Sequence, residues 1–189
     1  MDDASKNRSQ TSFQGGNSLQ GGDEFFCIEL SAGSAGLTFA MKHFFRNSFG
    51  VDHHVAGAKG RVVCLDLTKK ENQELVTKWA TSDLCLWTHF GVPCGTASKA
   101  RCIRMSKKRH GPPPLRSHRY PLGLPTLKGS NLARVRAAND LYAFTMSLIK
   151  KLNTLGKIWT LENPFSSLFV GDTLLGIIPG QCEALCRGT

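Results

Sequence analysis

No stretch of this 189-residue chain is apolar for the length of a membrane span, and its N-terminus lacks the basic-then-apolar pattern of a signal peptide. Those two absences point to a soluble, intracellular protein. A disulfide framework is missing too. The seven cysteines, at positions 27, 64, 85, 94, 102, 182 and 186, are an odd number without regular spacing. Cys27, Cys64 and Cys85 lie in apolar runs, where reduced thiols are ordinarily buried and slow to react. Cys182 and Cys186 have no second pair and no nearby histidine, so a zinc site is discounted. Finally, acidic residues are absent from one long stretch.

Between Lys99 and Asn139 stand eleven basic residues and no Asp or Glu: Lys99, Arg101, Arg104, Lys107, Lys108, Arg109, Arg116, Arg119, Lys128, Arg134 and Arg136. The whole chain carries a formal +10, so this segment holds the entire excess and the remainder is close to neutral. A concentrated positive field favours a polyanion, because phosphate contacts release counterions. A solvated basic loop, or a short nuclear-import run at Lys107–Arg109, fits the charge equally well. The expected location is intracellular, and nuclear if the organism is a eukaryote.

What is present describes one domain. Hydrophobic residues make up 41% and charged residues 20% of the chain, a globular balance for a length that accommodates one core. Residues 1–22 contain two Gly-Gly pairs and few large apolar side chains, too few to offset ordering entropy, and read as a disordered leader. The core is expected over 23–170, with a tail at 171–189. Short apolar runs, FFCIEL, SFGVD, RVVCLDL, LCLWTHF and KIWTLEN, predict five strands. Between them LTFAMKHFFRN and TKKENQELVTKWAT predict helices. GPPPLRSHRYPLGLP must be irregular, because its five prolines fit neither a helix nor a central strand. From Leu132, apolar residues recur through Val135, Ala138, Tyr142, Ile149 and Leu152 at three-to-four spacing, predicting an amphipathic helix to about Leu155.

Strands alternating with helices imply an α/β fold, a doubly wound parallel sheet with helices on both faces. Ligands then bind beyond the carboxyl ends of the strands. There the sequence places Glu29 and the turn Ser31, Ala32, Gly33 through Gly36, then Asp52, Asp66, Pro93 with Cys94, and Glu162. The turn lacks the Walker lysine and the full dinucleotide fingerprint. A short glycine turn with an acid closing the next strand suits a nucleoside: Asp52 for ribose hydroxyls, Asp66 for an adenine amino group. An ordinary strand-to-helix turn accounts for the same residues. Cys94 with Arg101 does not make a phosphatase loop, since six residues separate them and proline precedes the cysteine.

Pro-Cys after one parallel strand and Glu-Asn-Pro after the next resemble the DNA (cytosine-5-)methyltransferase family. ELSAGSAGL is similar to its first cofactor motif, GVPCGTAS to its nucleophile loop and LENP to its Glu-Asn-Val motif, over about residues 25–170. The resemblance implies the Rossmann-like sheet of S-adenosylmethionine-dependent methyltransferases. It implies cofactor contacts at Glu29, Ser31, Ala32, Gly33, Gly36, Asp52, Asp66 and Pro93. It makes Cys94 the nucleophile at cytosine C6 and Glu162 the group that serves N3. The target base must leave its helix first, and Lys99, Arg101, Arg104, Lys107 and Lys108 are expected on nucleic-acid phosphates.

The chain departs from the family pattern at Ser31, where an aromatic residue is usual, at Ala35 for glycine, at Val92 for proline and at Gly95 for glutamine. Past Phe169 the family's last strands and recognition domain are not recognisable. The expectation is a front half that lacks the last strands of the sheet, with a second chain as a partner that completes it. The alternatives are an inactive relative that binds nucleic acid and an enzyme of the same chemistry acting on RNA.

Overall fold

The structure, a computed structural model, describes residues 25–98 and 112–162. Among these, five strands form one all-parallel sheet in the order β3-β2-β1-β4-β5. They are β1 (Phe26–Leu30), β2 (Phe49–Asp52), β3 (Val62–Cys64), β4 (Cys85–Gly91) and β5 (Ile158–Glu162). Helix α1 (Gly36–Met41) links β1 to β2, α2 (Lys70–Ala80) links β3 to β4, and α3 (Gly129–Thr154) precedes β5. The fold is α/β, and each of the five expected strands forms where the apolar runs place it.

β1 is central, paired with β2 on one side and β4 on the other. Its alternate residues face opposite sides of the sheet. Phe26, Ile28 and Leu30 join Val51 of β2 and Phe90 of β4 in the main core, under Val76 and Ala80 of α2 and Phe144, Leu148, Ile149 and Leu152 of α3. Full burial of one such large side chain contributes ~1.5–3 kcal/mol. With four of them, α3 is the principal cover of this face.

The end of α3 follows from one glycine. Gly156 adopts φ 64°, a left-handed conformation that costs glycine little. The Gly156 amide donates to Asn153 O (3.1 Å) and the Lys157 amide to Leu152 O (2.9 Å), the paired bonds of a Schellman cap. The chain then turns directly into β5.

α1 lies on the opposite face, where Glu29 projects, and approaches β2 closely. A Cβ at Gly50 of β2 would stand 3.3 Å from Thr38 Oγ1 of the helix, and one at Gly60, ahead of β3, would stand 2.9 Å from Phe39 N. The helix is shorter than the sequence predicts. Thr38 is its one buried residue, and beyond Met41 no apolar stripe faces the sheet; Phe44 is 78% exposed. Among the described residues, no helix is long and apolar enough to cross a membrane.

One expectation about the thiols is corrected. Cys27 and Cys85 are buried, but Cys64 is exposed. β3 is a three-residue strand at the edge of the sheet, so membership of an apolar run does not cover its last side chain.

Candidate functional site

Because the strands are parallel, the residues that close them gather along one edge of the sheet. Ser31, Ala32 and Gly33 follow β1, Asp52 ends β2, Asp66 lies just past β3, Pro93 and Cys94 follow β4, and Glu162 ends β5. The chain goes from β1 to β2 on one side, while β4 lies on the other. This makes the gap between β1 and β4 the topological switch point, where open α/β sheets receive ligands.

The turn after β1 carries three left-handed residues in alternation: Ser31 (φ 55°), Gly33 (φ 53°) and Ala35 (φ 52°). Only the glycine does so without the roughly 1–2 kcal/mol that an L side chain costs there. Asp52 tethers the turn. Its Oδ2 accepts from the Gly33 amide at 2.9 Å, and its Oδ1 accepts from the His54 amide at 3.0 Å. His53 Nδ1 stands 3.0 Å from the same Oδ1.

Glu29 is placed differently from a cofactor ligand in solvent. Its Oε2 accepts from the Thr38 amide (2.6 Å) and hydroxyl (2.5 Å), which anchors α1 to the sheet just beyond Gly36. Asp66 Oδ1 accepts from the Thr68 hydroxyl (2.6 Å) and amide (2.9 Å). The hydroxyl first, and then the amide, hold the Asp66 carboxyl below its ordinary range. It is solvent-exposed at the entrance to α2.

Cys94 opens a short 3-10 turn, Cys94–Thr96, and is half-buried. Its carbonyl accepts from the Ala97 and Ser98 amides, both at 2.9 Å. The Tyr142 hydroxyl of α3 donates to the Pro93 carbonyl at 3.3 Å. Gly91 of β4 is in register with Glu162 of β5, so Cys94, three residues on, and the exposed Glu162 leave the sheet from neighbouring strands. Lys99, Arg101, Arg104, Lys107 and Lys108 lie outside the described residues, as do Asn163 and Pro164 and the expected leader and tail.

A narrow cleft opens at the switch point, between Leu30 and Ser31 on one side and Phe90, Gly91 and Val92 on the other, with Leu67, Leu141, Phe144 and Thr145 behind. A wider groove between α2 and α3 contains none of the strand-end residues.

Three features escaped the sequence reading. Arg116, one of the basic residues that the charge pattern offers to a polyanion, is 1% exposed. Its Nε and Nη2 donate to Thr96 Oγ1 (3.2 and 3.0 Å), and its Nη1 donates to Pro121 O (2.6 Å) and Asn139 Oδ1 (2.7 Å). Tyr142 senses both Arg116 and Cys94: burial raises its hydroxyl above the ordinary range, Arg116 opposes this and Cys94 adds to it. His89 of β4 is in register with Glu29 on one side and Thr160 on the other, with Nδ1 2.8 Å from Thr160 Oγ1. LCLWTHF runs four apolar residues and then two polar ones, so no alternation in it shows which face of β4 carries His89.

Comparisons with protein-family models, with curated proteins and with solved structures find no match to this chain.

Proposed function

We propose that the chain acts as an S-adenosylmethionine-dependent methyltransferase at C5 of cytosine in DNA, with Cys94 as the nucleophile. The observation that carries this reading is the β4–β5 pairing. Its register sets Glu162 opposite Gly91 and brings the Cys94 turn and the Glu162 carboxyl off adjacent strand ends, beside the switch point.

The two groups divide the chemistry as cytosine requires. C6 is a poor electrophile until N3 is protonated or firmly hydrogen-bonded, and Glu162, exposed at the end of β5, can supply that. The Cys94 sulfur then forms the bond to C6, and the electron pair displaced from the C5–C6 double bond makes C5 nucleophilic. That pair would go into the new C5–methyl bond; removal of the C5 proton would then free the C–H pair to re-form the C5–C6 double bond and expel the thiolate from C6.

The residues of the turn fit a nucleoside. A Cβ added to Gly33 would meet nothing within 4 Å, so the space over the turn is open. The carboxylate of Asp52 makes three contacts, and a carboxylate has about four acceptor positions, which leaves one for a ribose hydroxyl. When bound there, S-adenosylmethionine would supply the electrophilic methyl group. Ser31 provides no ring to stack on adenine, a contact worth roughly 0.5–1.5 kcal/mol, so binding is weak.

A second reading, an inactive relative that binds nucleic acid, draws on the same turn. Glu29 is committed to Thr38, and at Ala35, where the family pattern has glycine, a non-glycine residue occupies a left-handed position.

The deciding experiment is covalent trapping on a duplex containing 5-fluorocytosine, with S-adenosylmethionine present. An adduct mapped to Cys94, abolished by Cys94→Ala and reduced by Glu162→Gln about 10²–10⁴-fold, supports the enzyme. No adduct at any concentration leaves the second reading. Matched RNA and DNA duplexes distinguish the two substrates.

A further inference from the structure

We infer that Arg116 is the positioning residue of the Cys94 site, a latch that fixes the Cys94–Thr96 turn to α3. The inference rests on the reading of Cys94 as the nucleophile for its significance, though not for its test.

The argument begins with the cost of the position. A guanidinium removed from water is retained only where hydrogen bonds replace its hydration. Arg116 is 1% exposed, and burial pulls its pKa down, with the neighbouring Tyr142 acting the other way. The replacement bonds reach three separate pieces of chain. Thr96 Oγ1 lies in the 3-10 turn that starts at Cys94, Pro121 O in the loop that carries Arg116 itself, and Asn139 Oδ1 in α3. The Val135 carbonyl of α3 adds a longer contact, at 3.5 Å from Nη2.

The loop is itself seated on α3. The Leu124 amide donates to Leu115 O (3.0 Å), Asn139 Nδ2 donates to Leu122 O (2.9 Å), and a Cβ at Gly123 would meet Val135 at 2.8 Å. The far side of the turn is held by the Tyr142 hydroxyl on Pro93 O. α3 therefore grips the Cys94 turn at both ends: directly at Pro93, and at Thr96 through a planar five-donor group that lysine cannot reproduce. Two of the donors of Arg116 converge on Thr96 Oγ1. Loss of either partner frees the turn while leaving the sheet, whose core lies beneath α2 and the rest of α3, in place.

The test is site-resolved alkylation of the intact chain with iodoacetamide, which needs neither cofactor nor nucleic acid. Cys27 and Cys85, buried within β1 and β4, serve as internal monitors of the sheet. In Arg116→Gln and in Thr96→Val, Cys94 should label at least about tenfold faster, because each variant removes both guanidinium bonds to Thr96 Oγ1. Cys27 and Cys85 should keep their parent rates. Thr96→Ser, which retains the hydroxyl, should restore the parent rate at Cys94. The double variant should label no faster than Arg116→Gln alone, because that change already removes the interaction that Thr96→Val removes.

Unchanged Cys94 labelling in Thr96→Val would overturn the proposal, as would equal acceleration of all three cysteines, which would mark a general structural role. If Arg116→Gln fails to fold, the Thr96 pair still decides. If the parent forms the 5-fluorocytosine adduct, adduct formation should fall in Arg116→Gln as alkylation rises. If the parent forms none, the methyltransferase reading fails while the alkylation result still stands for or against the latch.

Discussion

Asp52, the last residue of β2, and Gly33, in the turn after β1, are joined by a 2.9 Å hydrogen bond from the glycine amide to a carboxylate oxygen. The bond explains why the turn after β1 keeps three left-handed residues in alternation. The end of β2 holds the middle one.

Asp52→Ala should therefore loosen the turn. It hands the Gly33 and His54 amides, both on exposed residues, to water, so the loss is the net worth of the hydrogen bonds, about 0.5–1.5 kcal/mol each. The urea midpoint should fall accordingly, and any calorimetric heat with S-adenosylmethionine should disappear. Asp52→Asn, which keeps one acceptor oxygen, should lose less. An unchanged midpoint in Asp52→Ala would mean that the tether contributes nothing.

The four described cysteines should separate into two classes on brief alkylation of the native protein. Cys64 and Cys94 react first, Cys64 from the exposed edge strand and Cys94 from its half-buried turn. Cys27 and Cys85 lag. Burial, with Cys85 close by, pushes the Cys27 thiol up to about 11, and burial also raises Cys85. The unfolded chain gives up these protons more readily, so stability is intact below pH ~9 and declines as the pH rises towards about 11. Denaturation midpoints across that range should fall, and should fall less in Cys27→Ala. Early labelling of Cys85 would contradict the assignment.

His89 gives a dependence at the acid end. Burial lowers its pKa from the ordinary 6.5, while Glu29 on β1 and Glu162 on β5 pull the other way. Thr160 and the Trp87 ring share its face of the sheet. The unfolded chain takes up the proton first, so this contribution is present above pH ~6.5 and is lost as the pH falls through the folded value. His89→Gln should flatten the stability profile between about pH 7 and pH 5, as read by chemical denaturation. A profile identical to the parent's would show that His89 is not the titrating group.

Much of the fold could be read from the residue pattern, because its causes are local. Each strand is a short apolar run with a turn residue or an acid at or just past its end (Ser31 to Gly33 after β1, Asp52, Asp66, Pro93 and Glu162), and α3 shows its buried stripe from Val135 to Leu152. Gly156 could have marked the helix end, since glycine just past a long stripe is the usual left-handed cap. What stayed hidden depends on partners distant in sequence. Nothing local to Glu29 reveals that Thr38 takes its carboxylate. An apolar run around Cys64 looks the same whether its strand is central or at the edge. Arg116 is the sharpest case, because a charge count assumes solvent and this guanidinium has almost none. The strand-end constellation was legible; the network that holds the Cys94 turn was not.

The burial of Arg116 also changes what should be expected of the basic segment. Arg119, Lys128, Arg134 and Arg136 are exposed, and Arg116 is enclosed behind the Cys94 turn. If about five to eight cations of the segment meet phosphates, the log–log salt slope for duplex DNA should be about −4 to −7. Replacing Arg119, Lys128, Arg134 and Arg136 with serine should bring that slope about 0.9 closer to zero for each phosphate no longer neutralised. Arg116→Gln should leave the slope unaltered, because a buried group releases no counterion. Fluorescence anisotropy over a series of salt concentrations measures both. A parent slope near zero would make the exposed cations a solvated surface, and a shallower slope in Arg116→Gln would mean that the guanidinium meets phosphate after all.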